Sequence, residues 1–248
     1  MTDAAGSVAI ACSCGSLNRF ETAGGYAIVA VDVIRTMTTA VTAAALGRRV
    51  FPAPTVAAAL EQGACLERPL LVGEVDGRMP GGFDLTNSPA ALAQRHDIER
   101  PMVLVTSSGT PLLHHARLAG GPVYLACLRN ARHLGRWLAR RHARVALVAA
   151  ASRGEFREED QFCCARIAGE LCHAGYRPAD AETEAVIRHW CAAPSDAWLG
   201  SNSVAYLRRT GQREDLEFVL QHVDDLPAVF ALQQDEIVAL TSAAEALA

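Results

Sequence analysis

The sequence predicts an α/β protein of three α/β/α layers, in which helices cover both faces of a largely parallel sheet. Short apolar runs rich in Val and Ile recur along the chain, and such runs are typical of strands that are buried on both faces. Helical patterns separate these runs, and strands joined through helices are parallel under the right-handed crossover rule. Half of the 248 residues are hydrophobic, which is enough for one large core.

The predicted strand around which the chain is organised begins at Tyr26 and ends at the charged residues Asp32 and Arg35. Thr38 and Thr39 can cap the helix that follows this strand. The later strands are predicted at residues 48–53, 68–74, 102–106, 122–128 and 144–151, with a final edge strand at 225–232 before a short tail.

Two polar turns lead into predicted helices. Ser88 and Pro89 form a strong helix start, with Ser as the N-cap and Pro at the first helical position. The turn from Ser107 to Thr110 presents amides and hydroxyls that can bind an anion. Ordinary helix capping explains the same residues, so both interpretations of this second turn stay open.

Residues 1–25 are expected to form a leader ahead of a single domain at 26–248. The acidic Asp3 and the short apolar piece before Leu17 do not fit a signal peptide or a membrane span. Cys12 and Cys14 could bind a metal or form a redox pair, but a flexible terminus is the commoner outcome. The eight Cys lack zinc-site spacing, so we expect reduced core residues of a cytoplasmic protein.

The charge pattern excludes several classes of function. The net charge is -4 and the pI is about 6.1, which argues against a nucleic-acid partner, since such binding needs a basic face. All 23 basic residues are Arg. Without Lys the chain has no Walker A loop and no Schiff-base or PLP chemistry. Any anion site must therefore use Arg, backbone amides or a metal ion.

Polar residues follow one predicted strand after another, and parallel strands would bring those ends to one edge of the sheet. Carboxylates and Arg together, without a Cys or His cluster, fit oxygen ligation of Mg²⁺ and phosphate chemistry. For Asp32 and Arg35 alone, a buried salt bridge at a strand end is an equally good explanation. The strand-end residues are Asp32, Arg35, Glu74, the turn 106–110, Asn130 and Glu159.

Five motifs in this order resemble the 2-phosphosulfolactate phosphatases (ComB-like), from about Tyr26 to Asp224. They are V-D-V-I-R-T-M-T-T at 31–39, G-E at 73–74, G-F-D-L-T-N-S-P at 82–89, T-S-S-G-T at 106–110 and G-E-F-R-E-E-D at 154–160. The resemblance implies a Mg²⁺-dependent phosphomonoester hydrolase with a ComB-like fold. In coenzyme M biosynthesis, that family converts phosphosulfolactate to sulfolactate and phosphate.

The resemblance also implies roles for the strand-end residues. Asp32 and Arg35 are expected to be catalytic, with Asp32 as a metal ligand, a nucleophile or a base, and Arg35 as the phosphate clamp. Attack by a metal-bound water is as plausible as a covalent route, because the chain lacks a D-x-D start. The expected metal ligands are Asp32, Glu74, Asp84 and Glu159, and the expected phosphate contacts are Arg35, Thr38, Thr39, Asn87, Thr110 and Asn130.

Some positions depart from the family pattern, so the identity of the substrate is less well supported than hydrolysis itself. Ser108 stands where Asn is expected before Gly, and Ser203-Val204 stands where His-Gly is expected after Ser201. Thr86, Ala149 and Ala151 differ as well. An altered rim would fit another small anionic phosphoester, such as a sugar or nucleoside phosphate of specialised metabolism.

Two further expectations concern function class and assembly. The alternative to an enzyme is a non-catalytic homologue that binds a phosphoester. The carboxylates weigh against this alternative, because they help a protein that only binds anions solely when they hold a cation. The expected partner is a small anionic phosphoester, with no membrane contact. A homo-oligomer is expected because Trp190 and Trp198 could form an interface, although a buried core is the commoner place for Trp.

Overall fold

The computed structural model describes residues 6–21, 25–151 and 154–240. In this part of the chain the strands are β1 (Ser7–Cys12), β2 (Ala27–Val31), β3 (Val50–Ala53), β4 (Leu70–Gly73), β5 (Met102–Val105), β6 (Val123–Ala126), β7 (Arg144–Ala149), β8 (Arg177–Pro178), β9 (Val229–Gln233) and β10 (Glu236–Leu240). The α-helices are α1 (Asn18–Glu21), α2 (Thr36–Ala45), α3 (Val56–Ala64), α4 (Pro89–Ala93), α5 (Gly109–Leu118), α6 (Ala131–Ala139), α7 (Glu158–His173), α8 (Ala181–Cys191), α9 (Asn202–Arg209) and α10 (Arg213–Gln221).

These strands form one mostly parallel sheet with helices on both faces, so the predicted three-layer α/β/α class is confirmed. The order across the sheet is β4-β5-β3-β10-β9-β6-β2-β7-β1-β8. Three consecutive pairings in the middle, from β3 through β10 and β9 to β6, are antiparallel, and the pairings on either side are parallel. The parallel strands therefore form two groups that run in opposite directions.

Strand β2 shows why continuous apolar runs predict buried strands. Ala27, Val29 and Val31 pack into the core on one face of the sheet. Ile28 and Ala30 pack into the core on the other face. Every residue of the strand is buried, as a central strand between two helical layers requires.

The expected leader at residues 1–25 is wrong for Ser7–Cys12, which form β1 inside the sheet. This strand pairs with β7 over six residues and with β8 on its other side. The short apolar stretch from Val8 to Ala11 is buried, which is the physical reason for its place in the sheet. Burial raises the pKa of the Cys12 thiol to about 11, so this thiol stays protonated. Residues 1–5 and the Cys14 side chain lie outside the described residues.

The predicted edge strand at 225–232 is also wrong, because β9 and β10 form a hairpin in the middle of the sheet. The run from Glu236 to Leu240, expected to be part of a tail, supplies the second strand of this hairpin. Val229, Phe230 and Ile237 are buried, which explains the central position. The hairpin joins the two parallel groups, and its strand pairing with β3 is limited to the residue pair Ile237 and Val50.

Neither tryptophan offered as an interface residue is on the surface. Trp190 is buried against Phe162, and its Nε1 donates to Gln161 at 3.0 Å. Trp198 is 1% exposed. The reason given for a homo-oligomer is therefore wrong, and the oligomeric state itself stays a prediction. None of the described helices is both long and apolar enough to cross a membrane.

Candidate active site

A cavity of about 580 Å³ lies beyond the carboxyl ends of β2, β4, β5 and β7, with α9 on its other side. Acidic, basic and hydroxyl side chains all line it. They include Asp32, Arg35, Thr36, Glu74, Asp76, Asn87, Ser107, Ser108, Glu155, Arg157, Asp160, Asn202, Ser203, Tyr206 and Arg209. The cavity thus offers partners for both a cation and an anion.

The two parallel groups meet at this cavity although they run in opposite directions in the sheet. The Oγ1 atoms of Thr36 and Thr106, which follow β2 and β5, are 3.1 Å apart. At Gly109 an added Cβ would lie 2.6 Å from Asp32 Oδ2 and 2.4 Å from Thr36 Oγ1. The contact needs glycine at this position because any side chain there would overlap Asp32 and Thr36. The strand ends therefore converge, but from two groups rather than along one parallel edge.

Asp32 is buried at the junction between β2 and α2. Its Oδ1 accepts a 3.1 Å hydrogen bond from the backbone N–H of Thr36, the first residue of α2. Burial raises the pKa of this carboxyl to about 7, bonds from Thr36 oppose the shift, and the charges of Glu159 and Glu74 add to it. An uncompensated carboxylate here is unfavourable, so the site favours either a proton or a nearby cation.

Asp160 is a cavity residue that the site prediction missed, although it belongs to the quoted motif. It is buried in the first turn of α7, and its Oδ1 accepts a 2.7 Å hydrogen bond from the backbone N–H of Val33. Burial raises its pKa well above the ordinary value, and the charges of Asp32 and Glu159 raise it further. The helical period could have selected Asp160 over Glu159, because the residues three, four and seven positions after Asp160 are all apolar and buried (Cys163, Cys164 and Ile167).

Glu159, the residue predicted instead, is buried beside the site but does not line the cavity. Burial raises its pKa, and the nearby hydroxyl groups of Ser203 and Ser201 oppose that shift. Its Oε2 makes no hydrogen bond within the described part of the chain. Glu159 therefore acts on Asp32 and Asp160 through its charge.

Arg35 lines the cavity, but the predicted salt bridge between Arg35 and Asp32 is wrong, because Arg35 pairs with Asp215 instead. It follows a cis peptide bond and is 5% exposed. Its Nη1 donates to Asp215 Oδ2 and to Gln212 Oε1, which belong to α10 and the turn before it. No sequence signal pointed to these partners, because they lie about 180 residues away in the chain.

Asn87 reaches the same cavity as predicted. Its side chain is buried, and Oδ1 has no hydrogen-bond partner among the described residues. A buried acceptor without a partner is costly, but because this oxygen is enclosed, Asn87 reaches the cavity through its other atoms.

The other predicted phosphate contacts are used within the fold and do not line the cavity. Thr38 Oγ1 donates to the carbonyl of Val33 at 2.7 Å, and Thr39 Oγ1 bonds the carbonyls of Arg35 and Asn87. Neither threonine caps α2, which begins at Thr36.

Thr110 and Asn130 are also structural. Thr110 Oγ1 accepts from the backbone N–H of Thr106 at 3.0 Å, and the backbone N–H of Thr110 in the first turn of α5 donates to Thr106 Oγ1 at 3.0 Å. The Asn130 amide closes the turn after β6 by accepting from Cys127 N at 3.1 Å and donating to Leu125 O at 3.0 Å. Their buried hydrogen bonds leave these two side chains no role at the cavity.

Of the predicted metal ligands, Asp84 lies away from the cavity and Glu74 lines it. Asp84 Oδ2 accepts from the backbone N–H of Leu71 at 2.9 Å and pairs with Arg100 at 3.3 Å. Glu74 accepts from Ser107 N at 2.8 Å, Ser107 Oγ at 2.9 Å and Gly77 N at 2.7 Å. Glu74 therefore braces two loops at the rim, and the predicted group of four ligands is not assembled.

Among the residues that the structure describes, no group of three or more His, Cys, Asp or Glu is arranged to hold a metal ion. Mg²⁺ does not require such a group, since it commonly takes one or two carboxylates together with water and substrate phosphate oxygens. Asp32 and Asp160 both line the cavity, and both have pKa values raised by burial and by neighbouring negative charge. This pair fits Mg²⁺ chemically.

Helix α9 and the segment before α7 form one wall of the cavity. Tyr206 Oη donates to the carbonyl of Gly77 at 3.1 Å, which joins α9 to the Glu74 loop. Asn202 Nδ2 donates to Glu155 Oε2 at 3.0 Å. Ser203 and Ser108 both line the cavity. Two of the positions that depart from the expected pattern therefore face this space, whereas Thr86, Ala149, Ala151 and Val204 do not line it.

Comparison with known proteins points to a single family. A family model described as 2-phosphosulpholactate phosphatase matches residues 16–235. A probable 2-phosphosulfolactate phosphatase of Deinococcus radiodurans is 32% identical over 195 residues, which cover 77% of this chain and 81% of the relative. The corresponding protein of Symbiobacterium thermophilum is 32% identical over 209 residues, covering 81% and 88%. That of Thermus thermophilus is 31% identical over 199 residues, covering 78% and 83%.

Proposed function

The chain belongs to the 2-phosphosulfolactate phosphatase family, a family of phosphoric monoester hydrolases, and from that premise we propose that it hydrolyses 2-phosphosulfolactate to sulfolactate and phosphate with Mg²⁺ as cofactor. The observation that carries the proposal is the meeting of Arg35 with Asp32 and Asp160 in one cavity. A guanidinium suits phosphate oxygens, and a buried pair of carboxylates suits a divalent cation. A phosphomonoester with its metal ion satisfies both.

Asp32 and Asp160 would hold the Mg²⁺ ion, which when bound supplies positive charge that polarises the phosphoryl group. A nearby cation favours the ionised carboxylates and lowers their pKa values. Asp32 would therefore bind the metal ion and would not transfer a proton. Arg35 would bind the phosphate oxygens and balance their charge in the transition state. Asn87 would form part of the cavity wall beside the ligand. Glu74 would keep the Ser107 turn in place.

The test is phosphate release from 2-phosphosulfolactate, with Mg²⁺ and after chelation by EDTA. We expect turnover that is lost with EDTA and restored by added Mg²⁺. Turnover that is insensitive to the chelator would contradict the cofactor assignment. Complete lack of phosphate release across a broad panel of phosphoesters, with ligand binding intact, would favour the non-catalytic homologue.

A second candidate is hydrolysis of another small anionic phosphoester, such as a sugar or nucleoside phosphate. The observation in its favour is that Ser108 and Ser203, which depart from the family pattern, line the cavity. A panel of these esters assayed beside 2-phosphosulfolactate separates the two candidates. If another ester has a higher kcat/KM than 2-phosphosulfolactate, that ester becomes the proposed substrate, and the reaction is still hydrolysis of a phosphomonoester.

We also propose a cytoplasmic location, a role of the coenzyme M biosynthesis type, and a homo-oligomeric state. The net charge of -4 supports a small-molecule partner rather than nucleic acid. Sedimentation at micromolar concentration tests the assembly, and a monomer there would dispose of it.

A further inference from the structure

We infer that Asp215 and Gln212 are positioning residues that occupy Nη1 of Arg35 and thereby reserve its Nε and Nη2 donors for the phosphate group of the substrate. The inference rests on the proposed function, because it assigns Arg35 to phosphate. It adds two residues from α10 and its preceding turn, neither of which is in the sequence motifs that identify the family resemblance.

The guanidinium of Arg35 has a fixed number of hydrogen-bond donors. Arg carries five N–H bonds in one plane, with one on Nε and two on each terminal nitrogen. In Arg35, the two hydrogens of Nη1 match the two acceptors that contact it, Asp215 Oδ2 and Gln212 Oε1. Nη1 therefore has no donor left for a ligand.

The remaining donors are open to the cavity. Nε and Nη2 of Arg35 make no hydrogen bond to any residue in the described ranges, and neither is a fully enclosed atom without a partner. Both atoms must therefore reach open space, and the open space beside Arg35 is the cavity. The Nε and Nη2 bonds along one side of a guanidinium are parallel and match two oxygens of a phosphate.

Asp215 is itself held firmly. It is buried, and its second oxygen, Oδ1, accepts from Ser88 Oγ and from the backbone N–H of Ala90 at 3.3 Å. Ser88 follows Asn87, which lines the cavity. One carboxylate thus fixes Arg35 relative to the segment that carries Asn87.

Gln212 is held in a similar way. Its Nε2 donates to Thr210 Oγ1 at 2.7 Å, which sets the direction of the amide and leaves Oε1 for Arg35. Asp215 provides the opposing charge and Gln212 provides a neutral second acceptor. Together they orient the guanidinium without a second negative charge, which would weaken its attraction for phosphate.

The experiment measures the Kd of inorganic phosphate by calorimetry in the presence of Mg²⁺, with melting temperature measured on the same preparations. The variants are Asp215→Asn, Gln212→Leu, Arg35→Lys and the two double variants that combine Arg35→Lys with each of the others. Glu217→Gln is the matched control, because it makes the same chemical change as Asp215→Asn at an exposed position of the same helix.

We expect Asp215→Asn to raise the Kd about tenfold or more, the scale of a lost hydrogen bond to a charged group. Gln212→Leu should raise it by a smaller factor, and Glu217→Gln should change it less than about twofold. Combined with Arg35→Lys, neither Asp215→Asn nor Gln212→Leu should raise the Kd further, because no Nη1 remains to be positioned. A merely structural role predicts losses that multiply in the double variants.

The inference is overturned if Asp215→Asn melts like the parent and binds phosphate equally well, or if the losses multiply. If Asp215→Asn fails to fold, Gln212→Leu and its double variant with Arg35→Lys decide in the same way. Phosphate binding needs no turnover, so a parent that binds phosphate without hydrolysing 2-phosphosulfolactate contradicts the proposed substrate alone. A parent that binds no phosphate overturns the positioning role as well.

Discussion

The backbone N–H of Val33 donates a 2.7 Å hydrogen bond to Asp160 Oδ1, which fixes the first turn of α7 against the residue that follows Asp32. The contact joins positions 127 residues apart in the chain. It brings two buried carboxylates to one cavity, where the charge of Asp32 raises the pKa of Asp160. Such a pair is unfavourable when both groups are ionised and no cation is present.

Asp32→Asn should abolish activity without loss of fold. The amide keeps the shape of the side chain and an oxygen that can accept from Thr36 N, but it removes the charge that would hold Mg²⁺. We expect kcat to fall by about a hundredfold or more, with no rescue by added Mg²⁺. Assays and melting curves on the same preparations check this. Asp84→Asn is the control, because Asp84 lies away from the cavity and should keep kcat within about threefold of the parent.

Stability without Mg²⁺ should fall as the pH rises from about 4 to about 7. Asp32 has a pKa of about 7 in the folded protein against an ordinary value of 3.8, so the folded state binds more protons in this window. The free energy of unfolding therefore decreases with pH, and Asp160 and Glu159 shift in the same direction. Added Mg²⁺ should restore stability most strongly above pH 7, since it binds the ionised pair.

Melting temperatures at pH 5 and pH 8, with and without Mg²⁺, measure both effects. Asp32→Asn is the control and should show a weaker dependence on pH and on Mg²⁺ than the parent. Two results together would contradict the assignment of this pH dependence to Asp32. The parent would melt at a higher temperature at pH 8 than at pH 5 without the metal, and the melting temperature of Asp32→Asn would change with pH by the same amount.

Asp160→Asn and Glu74→Gln should separate metal binding from loop bracing. We expect Asp160→Asn to raise the Mg²⁺ concentration for half-maximal activity by about tenfold or more, because it removes one of two anionic ligands. Glu74→Gln should leave that concentration within about twofold. It should instead lower the melting temperature and raise KM, because the Ser107 turn loses charge-assisted hydrogen bonds. If Glu74→Gln instead raises the Mg²⁺ concentration for half-maximal activity by about tenfold or more, Glu74 is a metal ligand after all.

The sequence was sufficient for features that depend on local pattern. The apolar run of β2 predicted a buried strand, and Ser88 was identified as the N-cap of α4, where it accepts from Ala91 N at 3.1 Å. Asp32, Arg35, Glu74 and Asn87 were placed at one site because each follows a strand or lies in a quoted motif. All four line the cavity.

The features that could not be predicted depend on contacts between distant segments. Nothing near Arg35 in the sequence points to Asp215, and the direction of β3 relative to β2 is set by the hairpin of β9 and β10. Hydroxyl residues such as Thr38 and Thr110 fit a phosphate site by type alone. Only the fold shows that their hydrogen bonds are made within the protein.

Arg35→Lys tests the phosphate clamp against the buried salt bridge. Lys keeps a positive charge, so the buried carboxylate of Asp215 still has a cation beside it. Lys lacks the planar guanidinium that binds two phosphate oxygens at once. We expect a raised KM and a lowered kcat, with the Mg²⁺ requirement unchanged. Arg35→Met is the comparison, because it leaves the Asp215 carboxylate without its cation and should lower the free energy of unfolding by about 3–5 kcal/mol.

The decisive quantity is activity per folded molecule. If Arg35 serves only the salt bridge with Asp215, Arg35→Lys should lose activity in proportion to the protein that unfolds, and its KM should match the parent. If Arg35 binds the phosphate group, Arg35→Lys should be impaired at temperatures where it is fully folded, because the defect lies in the missing Nε and Nη2 geometry. Kinetics well below the melting temperature of each variant distinguish the two, and a folded Arg35→Lys with parental KM and kcat would remove Arg35 from the site.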